Sequence, residues 1–128
     1  METPKNILVG VTDVFFYTKI RDAFKPAGYT LERIRKQEKV IEQADALKPM
    51  AVILNMNDDR LNAFQTLSTL KGEERFQTLP VLAFANHEEV DTFRQAKELG
   101  ISKIVSRNEF SARTLALLEE ITAGAPTE

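Results

Sequence analysis

Residues 51–59 read AVILNMNDD, and this stretch decides how the chain is read. Ala51, Val52, Ile53 and Leu54 run without a polar break and stop at Asn55. The run is too short for a helix and holds two β-branched residues, so it reads as a strand covered on both faces. Such a strand surfaces at its C-terminal end, and there it delivers Asn55, Asn57, Asp58 and Asp59. The question is what that polar cluster builds, and why it opens on an amide rather than an acid.

Working outward, the pattern alternates. Upstream, Val40, Ile41, Ala44 and Leu47 share one face of a helix expected over residues 37–47, which Pro49 stops. Downstream, Phe64, Leu67 and Leu70 line a helix over 61–71. Residues 6–11 (NILVGV), 81–85 (VLAFA) and 101–105 are further apolar strands, and 30–35 (TLERIR) is a half-polar one. Between them the period shifts to that of a helix. Phe16, Ile20, Ala23, Phe24 and Ala27 face inward over 13–27, with Gly28 closing the helix. Val90, Phe93, Ala96 and Leu99 do so over 88–99, and Leu117, Leu118 and Ile121 over 110–123. Strand and helix alternate five times with short connections, which implies one parallel sheet with helices on both faces. The pattern fills residues 5–123 as a single domain of 1–128, with a loose tail over 124–128.

Composition narrows the function. With 128 residues, 43% hydrophobic and 28% charged, the chain suits one globular domain. A net charge of -2 and the lack of a long basic stripe argue against nucleic acid. No cysteine and a single histidine exclude thiolate and multi-histidine metal sites, so no metal or cofactor is expected. No long apolar run suggests a signal peptide or a membrane span, so the cytoplasm is the expected compartment. The first turn, GVTDVFF, lacks a second glycine and so the phosphate-cradling pattern of nucleotide loops. No base–nucleophile constellation is present, and His87 reads as a solvated loop residue, so an enzyme is not expected.

In open α/β sheets, ligands bind beyond the carboxyl ends of the strands. The residues there are Val11, Thr12 and Asp13, then Asn55 to Asp59, then Ala85 to His87, then Ser106 to Asn108. Taken with the ILV strand, the KP-apolar-NMNDD segment, LPVLAFA and ELGISKIVSR, they resemble a response-regulator receiver domain of the chemotaxis type. The resemblance covers about residues 5–123 and implies a flavodoxin-like, doubly wound five-stranded parallel sheet of (βα)5 order.

The resemblance also implies where phosphotransfer chemistry would sit. The phosphoryl-accepting aspartate falls at Asn55, with Asn57 two residues on. The Mg²⁺-holding acids fall at Val11 and Thr12, with Asp13 one step beyond. The hydroxyl that senses the phosphoryl oxygen falls at Ala85, the aromatic rotamer switch at Ile104, the lysine at Arg107 and the proline after it at Asn108. The acidic–glycine pair opening the third helix falls at Asn62 and Ala63. Each of these has changed. An amide is a neutral, weak nucleophile, and Mg²⁺ prefers carboxylate oxygens. The chain is therefore read as a degenerate pseudo-receiver, a signalling module in a phosphorelay-like setting that works by protein–protein interaction. The partner is expected on residues 88–118, and a homodimer stays open.

Two rivals accompany this reading. One is an atypical response regulator that still takes phosphoryl groups or Mg²⁺ through Asp13 or Asp58. The other is a small-molecule or anion binder around Thr12, Asn55 and Arg107. Arg107 either pairs with Asp13 or Asp58 or holds an anion, while Asp58 and Asp59 read as a solvated loop. The Arg107–Asn108 bond is expected trans, because cis costs a non-proline residue about 2.5–4 kcal/mol; Asn108 or Ser111 would then cap the last helix. Finally, Phe15 points away from the helix's apolar stripe. Either it packs sideways on the last helix or it stands exposed as an interaction anchor.

Overall fold

In the computed structural model, which describes residues 5–86 and 88–123, five strands form one sheet in the order β2-β1-β3-β4-β5. The strands are β1 (Asn6–Gly10), β2 (Thr30–Arg33), β3 (Ala51–Asn55), β4 (Val81–Ala85) and β5 (Lys103–Ser106). Every pairing is parallel. The helices are α1 (Val14–Phe24), α2 (Val40–Leu47), α3 (Ala63–Lys71), α4 (Val90–Glu98), α5 (Arg107–Ala112) and α6 (Thr114–Ala123). This is the flavodoxin-like order expected from the sequence. The expectations for His87 and for the tail lie outside the described residues.

Side chains alternate across the sheet and so build two cores. Ile7, Val9, Ile53, Leu82, Phe84 and Val105 meet α1, α5 and α6 through Phe16, Ile20, Phe24, Phe110, Leu117 and Leu118. Leu8, Val52, Leu54, Val81, Ala83 and Ile104 meet α2, α3 and α4 through Val40, Ala44, Leu67, Leu70 and Ala96. All five residues of β3 and of β4 are buried, which is why those strands read as unbroken apolar runs. Gly10 lets the second core close over β1. A Cβ there would lie 2.6 Å from Leu54 Cδ2 and 2.9 Å from Leu61 Cδ2, both fixed in packed surroundings.

Several boundaries differ from the sequence reading. The first helix tightens into a 3-10 turn at Lys25–Ala27, where Pro26 lacks an amide donor, and Ala23 is exposed rather than inward. Gly28, at φ +88°, then turns the chain in the left-handed region. The 37–39 segment is likewise a 3-10 turn, so α2 is shorter than expected. In α4 only Ala96 is buried, and Val90 is 70% exposed at its first turn. The expected last helix is two helices. The first begins at Arg107, because the Ser106 hydroxyl oxygen accepts the Glu109 N–H at 3.1 Å; neither Asn108 nor Ser111 is the cap. A break follows at Arg113, where the Thr114 hydroxyl donates back to the Phe110 carbonyl at 2.7 Å. Such back-bonding competes with helix continuation. No described peptide bond is cis, so the Arg107–Asn108 bond is trans as expected.

Candidate functional site

The carboxyl ends of β1, β3, β4 and β5 bring Thr12, Asn55, Ala85 and Arg107 to one edge of the sheet. Asn55 is the last residue of β3 and is buried. Its side-chain oxygen accepts the Asn57 N–H at 2.9 Å, and its carbonyl accepts the Asp58 N–H at 3.2 Å. The amide therefore turns the chain at the strand end. Asn57 continues the relay: its side-chain oxygen accepts the Asn86 N–H at 2.7 Å and ties the loop after β3 to the loop after β4. The first half of the cluster is a turn held by neutral amides.

Asp58 corrects the expectation of a solvated loop. Its carboxylate accepts the Thr12 N–H and the Thr12 hydroxyl, both at 2.7 Å. It also accepts the Arg60 N–H at 2.9 Å and the Leu61 N–H at 3.0 Å. Partial burial pushes this carboxyl up, but the bonds from Thr12, Arg60 and Leu61 pull harder and leave it below the ordinary carboxylate range. Asp58 is thus the clasp between the loops after β1 and β3. Its neighbour Asp59 is exposed, as expected.

Asp13 caps α1. One carboxylate oxygen accepts the Phe15 and Phe16 N–H groups at 3.0 and 3.2 Å. The other lies 3.9 Å from the Arg107 guanidinium, a loose pair. Arg107 is held chiefly from below. Its guanidinium stacks 4.2 Å from the Phe16 ring centroid and 5.8 Å from that of Phe84. Those rings join Phe110 in a buried aromatic cluster, with Phe84 and Phe110 stacked at 4.4 Å. Arg107 pairs with Asp13 and not with Asp58, so its structural role is shared between a carboxylate and two rings.

The arrangement does not fit the Mg²⁺ that the receiver resemblance implies. That ion wants several hard oxygens in near-octahedral geometry. Here Val11 is buried and apolar, and the Thr12 hydroxyl is turned onto Asp58. The Asp58 carboxylate already accepts from four groups. Among the described residues, no three His, Asp or Glu side chains are grouped so as to hold a metal ion. Ala85 and Ile104 are buried hydrocarbon at the positions of the hydroxyl and the aromatic switch.

Two features escaped the sequence reading. Asp58 carried a local signal, since an Asp accepting N–H groups two and three residues on is an ordinary turn device; its partner Thr12, 46 residues away, carried none. Arg33, Arg35 and Arg60 line one groove with Thr12. The first two are visible in RIRK at 33–36, but Arg60 joins them only through the fold. Phe15, in contrast, is now placed: it is 88% exposed and does not pack on the last helix. No described helix is long and apolar enough to cross a membrane.

No protein-family model matches the chain. Protein RcaC of Microchaete diplosiphon is 24% identical over 128 residues, which is 97% of this chain. The chain spans 20% of that relative's length. Among solved structures, a protein described as a response regulator from Chloroflexus aurantiacus superposes with a TM-score of 0.83 at 16% identity, over 94% of this chain and 99% of that one. The signal receiver domain of a histidine kinase from Syntrophus aciditrophicus gives 0.82 at 15%, over 97% and 95%. The phosphorylated cyanobacterial phytochrome response regulator RcpA gives 0.81 at 14%, over 97% and 98%. At these identities the likeness establishes the receiver fold, as expected from the sequence, and the fold alone.

Proposed function

We propose that the chain is a receiver-fold signalling module that acts through protein–protein contact and does not accept a phosphoryl group. One observation carries this reading: where the resemblance calls for a free carboxylate, Asn55 engages its amide oxygen in the turn to Asn57. The nearby acids support it. The Asp58 carboxylate is clasped to Thr12, Arg60 and Leu61, and Asp13 caps α1. Asp58 would have to abandon at least one of those bonds to become an acyl phosphate, which weakens it as an acceptor; the second Asp13 oxygen meets only Arg107, at 3.9 Å, and the assay below reads that position directly. With no base–nucleophile pair in the sequence, the module is not an enzyme, and it works in the cytoplasm. Its signal leaves through the surface of residues 88–118 and through exposed Phe15 near the site rim.

The test is incubation with Mg²⁺ and a small acyl-phosphate donor, read by intact-mass and peptide mass spectrometry. No covalent phosphate is expected. A gain of one phosphoryl group at Asp13 or within residues 57–59 overturns the reading. The Asn55→Asp variant is also expected to stay unlabelled, because Val11 and Thr12 still supply no carboxylate and Ala85 no hydroxyl. Efficient Mg²⁺-dependent labelling of that single variant would show that the remaining site is competent.

A further inference from the structure

The loops after β1, β2 and β3 enclose a groove of about 520 Å³ that the proposed function does not use. Its floor is apolar, formed by Val11, Ile34 and Leu61, all nearly sealed from solvent. Three arginines, Arg33, Arg35 and Arg60, are among the residues that line it, and no Asp or Glu is. On a molecule whose net charge is -2, this is a local concentration of positive charge. The groove continues outward past Arg35 and Arg60 to Lys36, where Glu38 is the acidic residue of the lining.

The walls are fixed independently of those arginine side chains. Asp58 clasps the Arg60 and Leu61 N–H groups and Thr12, joining the first and third loops. The Gln37 side-chain oxygen accepts the Asn62 N–H at 2.6 Å, and its amide donates to Gln65 at 2.7 Å, joining the second and third. The Gln43 side-chain oxygen accepts the Arg35 N–H at 3.1 Å. The backbone frame is thus preorganised, and the ordering left to a ligand is that of the arginine side chains.

The charges themselves stay available. Among the described residues, neither the Arg33 nor the Arg60 guanidinium has a carboxylate within 4.0 Å. Arg33 stacks its guanidinium 5.2 Å from the Tyr17 ring centroid, which orients it without neutralising it. Arg35 lies 4.0 Å from Glu32, at the limit of an ion pair, and the Glu32 carboxylate already accepts from Gln43 at 2.7 Å. Arg107, by contrast, already faces both Asp13 and two aromatic rings.

We infer that this groove, lined by Arg33, Arg35 and Arg60, binds a small polyanion carrying two or more phosphate groups. Guanidinium matches phosphate oxygens bidentately, and its charge persists at all working pH values. The binding is reversible and involves no covalent step.

The probes are sodium pyrophosphate, ATP and adenosine, titrated separately without added metal at low salt into the full chain and followed by NMR of backbone amides and Arg side chains. Pyrophosphate and ATP are expected to give saturable shifts confined to Thr12, Arg33, Arg35, Arg60 and their neighbours, and adenosine none. Arg60→Glu and Arg35→Glu should each weaken binding by roughly tenfold or more. Arg94→Glu, on α4, should leave it unchanged. Added salt should weaken binding to the unaltered chain, which tests the charge argument without any variant. Absence of saturable shifts in the groove overturns the inference. So does binding that Arg94→Glu weakens as much as Arg60→Glu, since that marks diffuse attraction. A covalent phosphoryl gain in the donor assay would defeat the proposed function and leave this inference standing.

Discussion

Leu54 and Asn55 are neighbours on β3, yet they belong to regions held by different forces. Up to Leu54 the strand is hydrocarbon sealed between two helical layers. From Asn55 the chain turns by accepting hydrogen bonds, first at Asn55 and Asn57, then at Asp58. The same division recurs on β4, where Phe84 is fully buried and Asn86 is exposed two residues on. The strand bodies tolerate almost no change of volume, because packed interiors are close to crystal density. The strand ends tolerate a change of chemistry if the new side chain can still hold the turn. Asn55 thus holds its turn with an amide, while Leu8, Ile53 and Phe84 form the packed scaffold.

The largest effect expected is therefore in a strand body. Phe84 packs between Phe16 and Phe110 under Arg107, and is fully buried. Phe84→Ala should lower stability by about 3–5 kcal/mol, read from the denaturation midpoint in urea. A loss below about 1 kcal/mol would mean that the edge, rather than the sheet interior, dominates stability.

The edge comes next. Asp58→Ala strips the clasp from Thr12, Arg60 and Leu61, and should cost about 1–3 kcal/mol through their unpaired donors. The sign of its pH dependence follows from its depressed folded-state value. The Asp58 contribution is complete above the unfolded carboxyl value of about 3.9 and is lost as pH falls through the lower folded value. The difference in stability between the unaltered chain and Asp58→Ala should hence shrink as the solution is acidified below about pH 4. A difference that stays constant into strong acid would show that Asp58 matters by shape and not by charge.

The same contrast explains what could be read in the sequence. β1, β3 and β4 were legible because burial on both faces leaves an unbroken apolar run. The α4 face was misjudged because periodicity alone cannot say that Val90 lies at the helix mouth, where it is 70% exposed. The division at Arg113 went unread, although Ser106 with Glu109 three residues later was a helix-start signal in plain view. The residues at the positions that the receiver resemblance singles out were legible one at a time. The contacts they make in the fold were not, because Thr12 with Asp58 and Arg33 with Arg60 come together only across the folded sheet.

The smallest stability effect belongs to a residue outside both regions. Phe15 sits in the first turn of α1, 88% exposed, beside Val14 at 57%. The helix stripe is carried by Phe16, Ile20 and Phe24, so Phe15 contributes little to folding. Phe15→Ala should change stability by no more than about 0.5 kcal/mol in chemical denaturation. A large aromatic surface left in water is nevertheless what an interface would cover, since such side chains concentrate binding energy. Binding to a partner captured from the native cell should then weaken by at least about 2 kcal/mol, roughly thirtyfold in Kd. If the partner is a second copy of this chain, the same variant should abolish self-association in sedimentation at rising concentration. A stability loss of the size expected for Phe84→Ala would place Phe15 in the core instead. Unaltered binding with unaltered stability would move the interface wholly onto residues 88–118.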